Sequence, residues 1–200
     1  MNISILILLV TMMWWAFASC VPNSPALTAE QRAFCERQGI EASQALGKSL
    51  LAQLQGAMAS GDLTTAFTVC QTAAQPITRA TSEQRLGVSI RRTSIKYRNS
   101  KNAPDTLDRE ILKYWQSSKE SAQGLVRQTG PSSARYYGPI FVSEACLNCH
   151  GPRESFPRML TKTLNERYPK DLAHGYALGD LRGAFRVDID LNKATLNSES

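Results

Sequence analysis

Histidine is scarce in this sequence: His150 and His174 are the only two in 200 residues. A second pair of cysteines spaced by two residues is absent, so Cys146 and Cys149 have no partner motif with which to complete a four-ligand zinc site. Internal repeats, heptad runs and low-complexity segments are missing too, which excludes solenoids, coiled coils and long biased tracts. No charged side chain stands before Glu30. Long apolar runs are also wanting. The one candidate, ISILILLVTMMWWAF at 3–17, is short of the roughly 20 residues a membrane helix needs.

That run ends in AFASC, where Ala16-Phe17-Ala18 forms an A-x-A-like cleavage site. Residues 1–19 therefore read as a signal peptide or a lipoprotein leader. In the second case Cys20 is lipidated and becomes the mature N-terminus, although Phe17 suits that motif poorly and no Lys or Arg precedes the run. An uncleaved anchor is the third alternative. Export is expected either way, with membrane attachment open through lipidated Cys20 or a retained leader. The net charge of +6 then belongs to the exported part. An exported chain does not meet chromosomal DNA, and outside RRTSIKYR (91–98) the basic residues are scattered among acids. No nucleic-acid partner is expected; the charge reads as a solvated surface with one basic patch.

Residues 20–27 read as a linker, 28–192 as a single domain and 193–200 as a flexible tail. Thr28 with Gln31 is a capping box opening a long helix, whose apolar positions Ala42, Leu46, Leu50, Leu54 and Ala57 lead to a break at Ser60-Gly61. Asp62 then caps a second helix with the stripe Leu63, Ala66, Phe67, Cys70, Ala74 and Ile77, and Pro76 limits its length. Residues 87–97 read as one or two strands and 99–104 as a polar turn. Asp105 opens a third helix with Leu107, Ile111, Tyr114, Trp115 and Ser118 inward. RYYGPIFV (135–142) is a strand leading into the cysteine pair, and a turn-rich stretch follows. GAFRVDID (183–190) alternates as a half-buried antiparallel strand should. The class is α+β: long N-terminal helices, then a small antiparallel sheet.

Cys146, Cys149 and His150 stand as C-L-N-C-H, the attachment signature of c-type haem. Two intervening residues let both sulfurs reach one porphyrin edge, and the histidine then presents Nε2 to iron. One covalently attached haem c is the expected cofactor, and export agrees with it. A thioredoxin-like redox pair or a plain disulfide are the competing readings. Five cysteines is an odd number for an oxidising compartment. Once Cys20, Cys146 and Cys149 are assigned, Cys35 and Cys70 remain, as a disulfide or with one of them functional.

The sixth iron ligand is less legible. His174, Met58, Met159, Cys35, Cys70 or none are the choices. His174 reads as a loop surface residue, Met58 as core packing, and Met159 as near enough to reach. Cys35 has charged neighbours. Cys70 lies on an apolar helical stripe, where spacing alone favours an inert small hydrophobe.

AFTVCQTAAQPI, GVSIRRTSIKYRNSKNAPD, YYGPIFVSEACLNCHG and YPKDLAHGYALGDLRGAFRV together resemble a family of PAS-like c-type haem domains. These occur as stand-alone cyanobacterial haem proteins and as extracytoplasmic sensor regions. The resemblance spans about 40–190. It implies a PAS-like fold, an exported location on the periplasmic or thylakoid-lumen side, and a histidine–cysteine axial pair, carried onto His150 and Cys70, with Cys35 the alternative thiol. A thiolate donor favours ferric iron and lowers the potential. The expected function is a redox or gas-ligand sensor acting through a signalling or redox partner protein outside the cytoplasm. A low-potential electron carrier, docking through Arg91, Arg92 and Lys96, is the alternative. No acid–base pair or substrate motif stands out, so no enzymatic role is expected.

Overall fold

Thr28 and Gln31 close the capping box: the Gln31 N–H donates to Thr28 Oγ1 (3.1 Å) and the Thr28 N–H to Gln31 Oε1 (3.0 Å). The helix they open, α1, spans Ala29–Ser60. The computed structural model describes residues 25–60, 63–118 and 122–194. The leader, Cys20, the cap expected at Asp62 and residues 195–200 lie outside the described residues. Ahead of α1 the chain is docked to the domain. The Leu27 N–H donates to Gln128 Oε1 (3.1 Å), Gln128 Nε2 donates to the Pro25 carbonyl (2.9 Å), and Leu27 is buried.

Helix α2, Leu63–Glu83, passes through Pro76 and does not stop there. Proline costs the helix one N–H and crowds the preceding turn. Tertiary anchoring beyond it outweighs that loss. Thr78 and Thr81 are buried, and the Ser82 hydroxyl accepts from the Ile90 N–H (2.9 Å) and donates to the Ile90 carbonyl (3.2 Å). The helix end is thereby pinned to the strand β1, Val88–Thr93.

The sheet contains β1, β2 (Leu125–Gly130), β3 (Ser133–Phe141) and β4 (Leu181–Asp190) in the order β1-β4-β3-β2, every pair antiparallel. β2 is a strand the sequence reading did not assign. Helix α1 packs on one face, where Cys35, Ala42 and Leu46 meet Ile90, Tyr136, Val187 and Ile189. Gly39 permits that approach, because a Cβ there would run into the Tyr136 ring.

The opposite face carries α3, Thr106–Ser117, capped by Asp105 through reciprocal bonds with Asp108. Its buried residues are Asp108, Ile111, Leu112 and Trp115, whereas Tyr114 is 57% exposed. The helix is thus rotated from the expected phase, with Leu112 inward instead of Tyr114. The reason is electrostatic as well as apolar. Asp108 is drawn under the helix by the Tyr137 hydroxyl (2.7 Å), Arg135 (3.2 Å) and Arg186 (3.3 Å). In consequence β4 is not open on one side: Ala184 is completely buried.

After β3 come the short helices α4 (Glu144–His150), which carries the cysteine pair, and α5 (Arg158–Arg167), which lies within the stretch expected to be rich in turns. Phe67 of α2 joins Phe156, Leu160 and Leu164 in a third small core, against which Cys149 packs. A one-turn helix, α6 (Leu191–Ala194), ends the described chain. No described helix is long and apolar enough to cross a membrane. The α+β class expected from the sequence holds.

Candidate functional site

Cys146, Cys149 and His150 stand on α4 at spacings of three and four, so the helical repeat brings them to one face. The Val142 N–H donates to the Asp180 carbonyl (2.9 Å) and the Gly179 N–H to the Val142 carbonyl (2.9 Å), which fixes where the helix leaves the sheet. Ser143 Oγ lies 3.2 Å from Cys146 Sγ. At the other end, the N–H groups of Gly175 and Tyr176 donate to the carbonyls of Gly151 (2.7 Å) and His150 (3.0 Å). Gly175 has φ +69°, a conformation that favours glycine, and it turns the 171–176 loop back onto α4.

This loop also orients the imidazole. His150 Nδ1 is 2.6 Å from the Ala173 carbonyl. A carbonyl only accepts, so Nδ1 carries the proton and Nε2 keeps its lone pair. Burial, then the charges of Arg182 and Arg98, hold the ring well below the ordinary histidine pKa, although the Ala173 bond opposes them. The neutral imidazole required of a metal ligand results. The Tyr176 ring stands edge-on to it, at 90° and 6.4 Å between centroids.

α4 forms one wall of a cavity of about 270 Å³. Leu50, Leu54 and Met58 of α1 line it together with Leu63, Ala66 and Phe67 of α2. Of the expected helix stripe, Leu50 packs against the sheet core and also lines the cavity, which Leu54 lines too. Met58, read as core packing, lines it as well and is 39% exposed. At another side stand Arg92, Arg98 and Arg182, and none of the described lining residues is acidic. The basic cluster at 91–98 is thus turned inward in large part. Arg91 binds Asp108 and the Ala103 carbonyl, and Lys96 lies over the Tyr176 ring.

The remaining candidate ligands separate clearly. Cys35 is a free thiol, wholly buried in the α1–sheet core, where burial raises its pKa against the opposing charge of Arg32. It belongs to no disulfide and is not among the lining residues. Met159 is 60% exposed, and neither it nor His174 lines the cavity. Residue 70 falls in α2 between Phe67 and Gln71, both lining residues, but the Cys70 side chain lies outside the described ones. Among the described residues no three His, Cys, Asp or Glu side chains cluster to hold a metal ion by themselves.

The donor set fits haem. It offers an apolar slot, two thiols at the edge, a neutral imidazole nitrogen, and the guanidinium groups of Arg92, Arg98 and Arg182, which suit propionate carboxylates even though Arg98 also pairs with Asp171. Gln71 Oε1 is buried at the cavity with no hydrogen-bond partner among the described residues, which marks space belonging to another group. The Arg98–Asp171 pair and the Ala173 carbonyl were not singled out from the sequence.

No curated protein matches the chain. A crystal structure of the cyanobacterial heme-protein Tll0287 matches with 25% identity and a TM-score of 0.61, over 77% of this chain and 93% of that one. Residues 24–190 match the family described as Tll0287-like, nearly the whole of the fold and cavity just described, and the chain belongs to that family.

Proposed function

We propose that this chain is a c-type haem protein, with thioether bonds at Cys146 and Cys149 and axial ligation by His150 and Cys70. The observation that carries the reading is the Ala173 bond at His150 Nδ1. It leaves Nε2 unprotonated on a residue lining a cavity of apolar walls and arginines, beside two thiols. The structural relative is itself a heme-protein. Haem, when bound, supplies an iron that changes charge by one electron.

Cys70 is favoured over Cys35 because residues before and after it on α2 line the cavity, whereas Cys35 is enclosed in the sheet core. An anionic sulfur stabilises ferric over ferrous iron, so Cys70 holds less firmly once the iron is reduced. α2 is the element attached to it. We read the protein as a redox or gas-ligand sensor with a PAS-like domain, acting through a separate partner and exported by its leader. The runner-up is a low-potential electron carrier.

Absorption and EPR spectra of the purified ferric protein test the reading. A low-spin thiolate signature is expected; it should vanish in Cys70→Ala and survive in Cys35→Ser. The reverse result moves the ligand to Cys35. Rapid carbon monoxide binding to the ferrous form with slow electron exchange supports sensing. Fast self-exchange with unchanged ligation supports the carrier instead.

A further inference from the structure

Arg98 joins α4, the 171–173 loop and α2 beside His150. Its Nη2 donates to the Cys149 carbonyl (2.7 Å) and reaches the Ala173 carbonyl (3.2 Å). Its Nε and Nη2 form a two-point pair with Asp171, each at 3.1 Å. The guanidinium carbon also lies 5.4 Å from the centroid of Phe67, on α2. Both charged groups are shielded, with side-chain exposures of 11% and 0%. Asp171 Oδ1 in turn accepts the Ala173 N–H (2.9 Å), so the same carboxylate fixes the arginine and the residue whose carbonyl meets the histidine.

We infer that Arg98, held by Asp171, is the positioning residue of the proximal side: it locks the His150 ring through the shared Ala173 carbonyl and tunes the donor strength of Nε2. The inference rests on the haem reading. Ala173 serves two donors, His150 Nδ1 at 2.6 Å and Arg98 at 3.2 Å. A cationic donor on that oxygen drains the electron density available to Nδ1–H and keeps the ring from acquiring imidazolate character. Partners of this kind orient a ligating histidine and set its basicity. Only a planar fork satisfies Asp171 at two points while reaching both carbonyls. Lysine carries the charge without that geometry.

The test uses full-length protein matured with covalent haem. Two quantities are measured: the ferric/ferrous potential, and the paramagnetically shifted ring-proton resonances of His150. Arg98→Ala should favour the ferric state by on the order of tenfold, about 59 mV for one electron, and move the ring resonances. Arg98→Lys should recover part of the potential but leave the resonances displaced. Asp171→Asn keeps the volume, loosens the fork and should displace them in the same sense; it serves where Arg98→Ala fails to fold. Unchanged resonances in both Arg98→Ala and Asp171→Asn, with haem retained, overturn the inference alone. Full rescue of the resonances by Arg98→Lys overturns positioning in favour of bare charge. Wild-type protein without acid-stable haem overturns the haem reading and this inference together.

Discussion

Asp108 is the residue on which the far side of the sheet depends. Its carboxylate is completely buried, takes the Tyr137 hydroxyl at 2.7 Å, and meets Arg135, Arg186 and Arg91 at 3.2–3.4 Å. Asp188 and the half-exposed Asp105 complete the balance. A buried ion network is weak evidence of net stability, but removing one member leaves the others uncompensated. Asp108→Ala should therefore cost about 3–5 kcal/mol of unfolding free energy measured by urea denaturation, and Asp108→Asn less, because an amide still accepts from Tyr137. Little of this was visible in the sequence. A capping-box acid normally faces water, and nothing near Asp108 announces Arg135 or Arg186, 27 and 78 residues away.

At the scale of elements, α1 shows how one helix serves two purposes. Its first half packs on the sheet, closest at Gly39, and its second half walls the cavity through Leu50, Leu54 and Met58. Gly39→Ala should raise helix propensity yet destabilise the domain by about 1–3 kcal/mol, since the added methyl meets the Tyr136 ring. Thermal unfolding beside that of Gly56→Ala gives the contrast, because nothing lies within 4 Å of a Cβ at position 56 and propensity alone acts there. The start of α1 was legible because capping chemistry is local. The length of α2 was not: Pro76 signals an end by a local rule, and the bonds between Ser82 and Ile90 of β1 override it through a tertiary contact. α5 escaped notice because ten residues with only two buried leucines make a weak periodic signal.

For the molecule as a whole, burial of titratable groups sets a limit on the alkaline side. Burial raises the pKa of Tyr137, of Tyr136 and of the Cys35 thiol above their ordinary values. A group whose pKa is raised by folding contributes stability that is complete below its unfolded pKa and is lost as pH rises towards the folded one. Stability should hold up to about pH 8.5, then decline as the thiol and, from about pH 10, the tyrosines ionise in the unfolded chain. Urea midpoints at pH 8, 9.5 and 11 measure this, and Cys35→Ser should flatten the first part of the decline.

The sequence by itself determined the close spacing of Cys146, Cys149 and His150, the α+β class and the opening of α1 and α3, because each rests on spacings of a few residues. A C-x-x-C-H segment needs only one helical turn to bring its side chains to one face. Only the tertiary structure decided the rest. It enclosed Cys35 in the core, turned Met58, Arg92 and Arg98 towards a cavity, and set the proton on His150 Nδ1 through a carbonyl 23 residues away. Those outcomes depend on which distant atoms share a dry space. There an unmatched charge or an idle hydrogen-bond donor costs more than any local preference can offset.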